Sequence, residues 1–198
     1  MDLPSSFEQA GEHELVESLR RGDAGAFEAA YARHRAALYS FLLRSSRDRA
    51  LAEELLQETW LRLARTARTL EPETDLRAWL FTVARNLLRS RRRRDYFGRE
   101  LLRQLGLAGP GASEVTPFEL AAASETERRL EAAIARLAPG LREVVLLAVV
   151  ERLEPAQLAQ VLGVRPEAAR QRLARARAML AKLLAQAPGP RDPIGEAP

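Results

Sequence analysis

Residues 157–173 read QLAQVLGVRPEAARQRL, and this stretch decides the fold of the second half of the chain. Leu158 and Leu162 have the spacing of one helix face, and Ala159 is small where two helices must cross closely. Gly163 follows where the chain has to turn through a left-handed conformation. Pro166 stands at the first position of the next helix, where its missing N–H is not needed. The stretch therefore predicts two helices joined by a tight turn. The further positions expected in the core are Val164, Ala169, Leu173 and Ala176.

The outer face of the second helix is polar and mostly basic. Its candidate DNA-contacting residues are Arg165, Glu167, Arg170, Gln171, Arg172 and Arg175. A helix that enters the major groove uses Arg, Gln or Glu on base edges and further arginines on phosphates. The pair is therefore interpreted as a helix-turn-helix, and the alternative is a plain helical hairpin with a solvated arginine face.

The N-terminal half predicts four helices with clear start and stop signals. Gly22 ends a first helix over residues 12–21. Asp23, Asp48 and Asp75 are candidate N-caps of the next three helices, since a carboxylate there accepts from free backbone N–H groups. The fourth helix is expected to end at Arg94. Short connections favour one compact helical bundle over residues 12–95.

The remaining segments complete an all-α architecture of two domains. Residues 96–123 are rich in Gly and Pro and predict a flexible linker, acidic in its later part. Ser124 and Glu127 form a capping-box pattern that opens the second domain, residues 124–186. The Pro- and Gly-rich tail, residues 187–198, is expected to be disordered.

Composition excludes several classes of function. The chain has no cysteine, so disulfides and thiolate metal sites are excluded. The sequence contains no run of about eighteen apolar residues, so no membrane-spanning helix is expected. A cytoplasmic location is expected. The two histidines, His13 and His34, belong to no catalytic constellation, and no phosphate-binding glycine loop is present. We therefore expect no catalytic residues, no metal and no cofactor.

Arginines cluster in the fourth predicted helix. Arg85, Asn86, Arg89 and Arg93 fall on a stripe opposite its expected buried face, and Arg91, Arg92 and Arg94 add charge. Trp79 and Tyr96 lie on either side of the cluster. Arginine together with aromatic rings suits opened or single-stranded DNA, because charge binds the backbone and rings stack on bases. A solvated basic helix end, favoured by the helix dipole, is the alternative.

The third predicted helix carries an acidic face. Glu54, Gln57, Glu58 and Leu61 stand at i, i+3, i+4 and i+7, and Glu53 adjoins them. On a chain with basic surfaces elsewhere, such a face indicates a basic protein partner. A solvated helix face explains these residues equally well.

Taken together, these segments resemble an extracytoplasmic-function sigma factor of bacterial RNA polymerase, in the sigma-70 family. The stretches LVESLRRGDAGAFEAAYAR (15–33), AEELLQETWLRLA (52–64) and DLRAWLFTVARNLLRSRRRR (75–94) are similar to the family's second conserved region in order and spacing. The stretch 137–184, which begins LAPGLREVVLLAVVERL, is similar to its fourth. The bundle would then be sigma region 2 and the helix-turn-helix domain sigma region 4.

The resemblance implies a role for each group of residues. The set implied to bind core polymerase, at the clamp helices of its largest subunit, is Glu53, Glu54, Leu55, Gln57, Glu58, Trp60 and Leu61. The set implied to contact the −10 promoter element, including the loop that captures a flipped base, is Thr69, Asp75, Arg85, Asn86, Arg89, Arg92 and Arg93. The set implied to read the −35 element is Arg165, Glu167, Arg170, Gln171, Arg172 and Arg175.

The expected function is that of an alternative sigma factor, with core RNA polymerase, duplex and opened promoter DNA, and an anti-sigma factor as partners. The recognition helix departs from the family, since residues 166–172 read PEAARQR where Val-Gly-Thr-Val-Lys-Ser-Arg is common. The promoter sequence therefore stays open. Two other functions remain at this point. One is a sigma-like decoy that sequesters an anti-sigma factor, and the other is an operator-binding regulator that works without polymerase.

Overall fold

The computed structural model describes residues 11–105 and 124–186, and every regular element in those ranges is helical. The first range holds α1 (Glu12–Arg21), α2 (Ala24–Ser46), α3 (Arg49–Thr66), a 3₁₀ turn (Ala67–Thr69) and α4 (Leu76–Gln104). The second holds α5 (Glu125–Arg136), α6 (Pro139–Val145), a π-helical turn (Leu146–Val150), α7 (Pro155–Leu162) and α8 (Pro166–Ala185). The all-α prediction is confirmed.

The predicted N-caps of the first domain are confirmed. Asp23 accepts from the backbone N–H groups of Gly25 and Ala26, and Asp48 accepts from that of Leu51 at 3.0 Å. Asp75 accepts from Ala78 N at 2.8 Å and so begins α4. Each carboxylate accepts a hydrogen bond from a backbone N–H group that has no acceptor within its own helix.

The predicted end of the fourth helix at Arg94 is wrong, because α4 continues to Gln104. Glu100 accepts from Arg103 Nη2 at 2.7 Å and from Gln104 Nε2 at 3.1 Å, and pairs at these spacings stabilise a helix. These pairs help offset Gly98, which costs about 1 kcal/mol in a helix interior. The first part of the predicted linker is therefore helical. Residues 106–123 and the predicted tail, 187–198, lie outside the described residues.

The second domain contains the predicted helix-turn-helix. α7 and α8 are joined through Gly163, whose φ of 64° is left-handed as expected. Ala169 and Ala176 are buried, whereas Val164 and Leu173 are only half-buried against the core. Ser124 and Glu127 form the predicted capping box at the start of α5. The helix-turn-helix prediction is confirmed, although the turn residue Val164 is less buried than expected.

The two domains pack against each other. α4 of the first domain contacts α7 of the second, and α2 contacts α6 and the π-helical turn. The apolar residues of both domains form one continuous buried cluster. No helix within the described ranges is long and apolar enough to cross a membrane, and the same residues contain no cluster of metal-ligating side chains.

His34 lies buried in the first domain. No described residue forms a hydrogen bond with its Nε2, since Glu12 Oε1 is 3.8 Å away and accepts from Arg77 N instead. Burial, together with the charges of Arg33 and Arg77, lowers the pKa of His34 from 6.5 to about 4, although the charge of Asp75 acts in the opposite direction. The folded protein therefore holds this imidazole neutral at pH 7.

We expect the free energy of unfolding to fall as the pH drops from 6.5 towards 4. In that window the unfolded chain binds a proton at His34 and the folded chain does not, so protons favour unfolding. The gap between the two pKa values corresponds to roughly 3 kcal/mol. Urea unfolding at several pH values checks this, comparing His34→Gln with His13→Gln, which replaces the exposed histidine. The His34 variant should lose this part of the pH dependence. An unchanged profile in that variant would show that His34 does not cause it.

Candidate nucleic-acid interface

The basic stripe of α4 faces the second domain. Arg85 is 6% exposed, and its Nε donates to Glu143 Oε2 at 3.1 Å. Its Nη1 donates to the carbonyl of Val161 at 3.2 Å, at the C-terminal end of α7, where the helix dipole favours a cation. The expectation that Arg85 lies on an open face is wrong. The stripe is opposite the core of its own domain, as predicted, but the second domain covers Arg85, while the other stripe residues stay exposed.

Glu143 joins two of the α4 arginines. Its other oxygen, Oε1, accepts from Arg92 Nη1 at 2.9 Å, and the side chain of Glu143 is 6% exposed. Burial lowers the pKa of Arg85, while the neighbouring charge of Glu143 raises it and that of Arg89 lowers it. A buried carboxylate thus forms ion pairs with two guanidinium groups of the other domain.

A side-chain amide connects the starts of two helices in different domains. Gln157 Nε2 donates to Asp75 Oδ2 at 2.7 Å, while Asp75 Oδ1 caps α4. Gln157 Oε1 accepts from the backbone N–H of Glu154, at the start of α7. Asp75, one of the residues implied to contact the −10 element, is therefore engaged by the helix-turn-helix in this arrangement.

Two further contacts of the interface have an arginine of the first domain as the donor. Arg44 of α2 pairs with Glu131 of α5 at 3.1 Å, and Arg77 of α4 donates to the carbonyl of Glu151. Burial raises the pKa of both Glu131 and Glu151, with nearby arginines acting in the opposite direction. In these ion pairs the first domain supplies the guanidinium groups and the second supplies the carboxylates.

The other residues of the implied −10 set remain on the surface. Asn86, Arg89 and Arg93 are exposed on α4, and Thr69 is exposed in the 3₁₀ turn, where its hydroxyl donates to Thr66 O at 2.9 Å. The structure therefore divides this set. Arg85, Arg92 and Asp75 are bound to the second domain, whereas the rest are accessible.

All six residues of the implied −35 set are exposed, as expected for a recognition helix. Arg170 pairs with Glu167 at 2.6 Å, one turn apart on the same face. Arg172 and Arg175 line a groove between the domains, and Arg89 and Arg93 of α4 line the same groove. The two basic helices are thus brought together, although they were predicted from separate parts of the sequence.

The acidic face lies on α3, away from these interdomain pairs. Glu53, Glu54 and Gln57 are exposed, Glu58 is half-buried, and Leu61 is 41% exposed. Leu55 and Trp60, which belong to the same implied set, are buried at 3% and 6% exposure. These two side chains therefore support the face from the core instead of forming its surface.

An apolar recess adjoins the acidic face. Its volume is about 290 Å³, and its lining includes Phe27, Tyr31, Leu56, Trp60 and Leu61. The rings of Tyr31 and Trp60 are 4.9 Å apart between centroids. An apolar recess beside acidic side chains suits a helix that presents both apolar and basic residues.

The acidic side chains pair with arginines of their own domain. Glu54 accepts from Arg91 of α4 at 2.8 and 3.0 Å, and Glu58 pairs with Arg62 at 3.3 Å. Exposed ion pairs of this kind contribute little to stability. If a basic side chain of a partner protein replaced either arginine as the counter-charge of its glutamate, the cost in free energy would therefore be small.

Three residues of these surfaces were missed by the sequence reasoning. Glu143 stands in an apolar helix beside Arg142, Gln157 lies in the first turn of α7, and Tyr31 lies on α2. A lone carboxylate among apolar residues was the available signal for Glu143, because burial requires a charged partner. Gln157 and Tyr31 gave no comparable signal.

Comparison with known proteins matches both domains. The model of Sigma-70 region 2 matches residues 30–96, and the model of Sigma-70, region 4 matches residues 127–180. RNA polymerase sigma factor CarQ of Myxococcus xanthus is 35% identical over 176 residues, which cover 86% of this chain and 96% of the relative. RNA polymerase sigma factor CnrH of Cupriavidus metallidurans is 32% identical, with 86% and 92% covered.

A solved structure matches as well. The sigma factor RpoE from Bartonella quintana, in complex with the anti-sigma factor NepR, superposes with a TM-score of 0.67 at 26% identity. The match covers 81% of this chain and 97% of that one. Two sigma regions in the family order, and relatives matched over nearly their whole length, show that the chain belongs to the extracytoplasmic-function sigma factors of the sigma-70 family, alternative sigma factors that bind RNA polymerase.

Proposed function

We propose that the free chain is a closed form of the sigma factor, and that its domains separate when it acts at a promoter. Core polymerase binds the acidic face of α3 and the recess beside it. The arginines of α4, both those already exposed and those that separation of the domains releases, contact the −10 element. Asn86 and the turn around Thr69 contact it as well. The outer face of α8 contacts the −35 element. The chain acts in the cytoplasm and catalyses no reaction of its own.

The observation that carries this proposal is the direct contact between α4 and the helix-turn-helix. The −10 and −35 elements lie about 25 base pairs apart, which is roughly 85 Å along straight duplex at 3.4 Å per base pair. Arg85 of α4 donates to Val161 of α7 at 3.2 Å. The arrangement therefore cannot place both basic helices on their elements at once, and promoter binding requires separation.

The α3 face supports a sequence of events. Glu53, Glu54 and Gln57 are exposed in the closed form, so polymerase can bind before the domains separate. Glu54 holds Arg91, which lies on the same helix as the arginines implied to contact DNA. A basic partner that takes Glu54 would release Arg91 next to the DNA-contacting stripe.

An anti-sigma factor is a further proposed partner. The structural neighbour RpoE was solved with NepR, and CnrH was solved with the cytosolic domain of CnrY. The exposed recess and acidic face of α3 offer such a partner a surface on the closed form. Occupying them would exclude polymerase, and an anti-sigma factor that also stabilises closure would hide Arg85 and Arg92.

The first experiment is transcription with purified core polymerase on fragmented genomic DNA, with start sites mapped in the presence and absence of the chain. New discrete starts that share two spaced upstream elements are the expected result. Polymerase binding without new starts would favour a decoy that sequesters an anti-sigma factor. Neither binding nor new starts would leave an operator-binding regulator as the better account.

Neutralising the α3 face should weaken polymerase binding. We expect Glu54→Gln with Glu58→Gln to lower the affinity for core polymerase about tenfold or more, because carboxylates facing basic groups are lost. Glu14→Gln, an exposed carboxylate on α1, is the matched control and should change little. Fluorescence anisotropy of the labelled chain with core enzyme measures both. Equal affinities for the two variants would place the polymerase contact elsewhere.

Removing the charge of Glu143 should open the chain. Glu143→Gln leaves Arg85 and Arg92 without their buried counter-charge, which disfavours closure by about 3 kcal/mol. Because the sequence lacks cysteine, spin labels at Arg65→Cys and Lys182→Cys, both exposed, report the interdomain distance without interference.

The expected outcome is a long-distance population in Glu143→Gln that the parent chain lacks. Glu125→Gln removes an exposed pair with Arg128 inside the second domain and is the control. It should keep the short distance. A Glu143→Gln chain that also keeps the short distance would contradict the role of this carboxylate in closure.

A further inference from the structure

The groove between the domains is lined by both basic helices. We call it the arginine groove; its volume is about 760 Å³, within the range of small-molecule sites. α4 contributes Arg85, Arg89, Arg92 and Arg93, and α8 contributes Arg172 and Arg175. The groove exists only while the domains are closed, because its two walls belong to different domains.

Among the residues that the structure describes, the charges in this groove are not balanced. Glu143 is the one carboxylate among these lining residues, and it already pairs with Arg85 and Arg92. Within the described part of the chain, no carboxylate lies within 4.0 Å of the guanidinium groups of Arg89, Arg93, Arg172 or Arg175. Four cationic groups therefore converge on one cavity without a counter-charge from these residues.

This convergence has an electrostatic cost within the protein. The pKa of Arg85 is lowered first by burial, and then by the positive charges of Arg89 and Arg172, the latter on the opposite wall. Like charges facing each other across a cavity disfavour closure. An anion placed between them would remove this repulsion and add charge-assisted hydrogen bonds.

The lining favours phosphate over other anions. Guanidinium groups bind phosphate oxygens in bidentate geometry, and several groups on two walls suit several phosphates in a row. None of the described residues that line the groove is aromatic, so they offer no stacking platform of the kind that single-stranded nucleic acid uses. The groove therefore fits a short chain of phosphate groups better than a nucleic-acid strand.

We propose that the closed form binds a small polyphosphate anion in the arginine groove, bridging Arg89 and Arg93 of α4 to Arg172 and Arg175 of α8. Inorganic polyphosphate and nucleoside polyphosphates share this chemistry. The anion holds the domains together and occupies arginines that promoter phosphates would need. Polyphosphate binding and promoter binding are therefore mutually exclusive.

The test is calorimetric titration of the full chain with inorganic tripolyphosphate at about 150 mM salt, where weak surface attraction is screened. Arg89→Gln with Arg172→Gln removes one guanidinium group from each wall and should weaken binding about tenfold or more. Arg94→Gln with Arg177→Gln removes one exposed arginine from each of the same helices, outside the groove, and is the matched control. The control should weaken binding less than about threefold.

The spin-label pair described above provides a second readout. Tripolyphosphate should increase the short-distance population of the parent chain and should lower its affinity for promoter DNA. The same labels show, without ligand, that Arg89→Gln with Arg172→Gln still closes. Guanosine triphosphate is titrated in parallel, and the tighter of the two ligands identifies the source of the phosphate chain.

Three outcomes would overturn the proposal. One is no tripolyphosphate or guanosine triphosphate binding by the parent chain at this salt concentration. Another is an equal loss in the groove variant and the control, which would indicate nonspecific attraction. The third is tighter binding of a single-stranded oligonucleotide of equal charge. Because neither calorimetric titration nor the distance measurement needs polymerase, these outcomes leave the sigma-factor proposal to its own test.

Discussion

The relative placement of the two domains depends on one buried carboxylate. Glu143 forms ion pairs with Arg85 at 3.1 Å and Arg92 at 2.9 Å, and Arg85 also reaches the last carbonyls of α7. Removing such charges from water is costly, so a buried pair is retained only when its geometry is good and its remaining donors are satisfied. The Asp75–Gln157 hydrogen bond and the Arg44–Glu131 pair lie in the same interface and fix its orientation.

The interface uses groups that the family resemblance assigns to DNA. A carboxylate and a phosphate offer a guanidinium group similar acceptors, so under the proposed function a promoter phosphate would replace Glu143 as the partner of these arginines. Opening then exchanges one anion for another instead of exposing unpaired charge. On that proposal, these arginines face an anion in both the closed and the DNA-bound form.

Much of the fold was predictable from local sequence signals. Asp23, Asp48 and Asp75 cap their helices as expected, and Gly163 takes the left-handed conformation at the turn. These signals are local because a cap or a turn involves residues only a few positions apart. The end of α4 was misplaced because its last ten residues bury no apolar face. The apolar side chains there, such as Phe97 and Leu101, are exposed, and polar pairs within the helix support it.

The candidate site was predictable in its residues but not in its arrangement. The sequence shows an arginine stripe opposite a core face, and such a stripe can face solvent, DNA or another domain. Burial of Arg85 depends on Glu143, which lies 58 positions away, and periodicity contains no information about that pairing. Leu55 and Trp60 illustrate the same difficulty, since a family motif includes both surface residues and the core residues that position them.

The length of α4 has a mechanical consequence. Within the described residues, Arg92 is the last residue of α4 that hydrogen-bonds to another element, yet the helix continues without a break to Gln104, roughly 18 Å further at 1.5 Å per residue. This projecting part is a rigid lever arm. A sideways force on its end acts as a torque on the segment that holds Arg85 and Arg92, because a helix transmits rotation over its whole length. A partner that engaged Tyr96, Phe97 or Leu101 on the exposed arm would therefore act on the ion pairs with Glu143 from a distance.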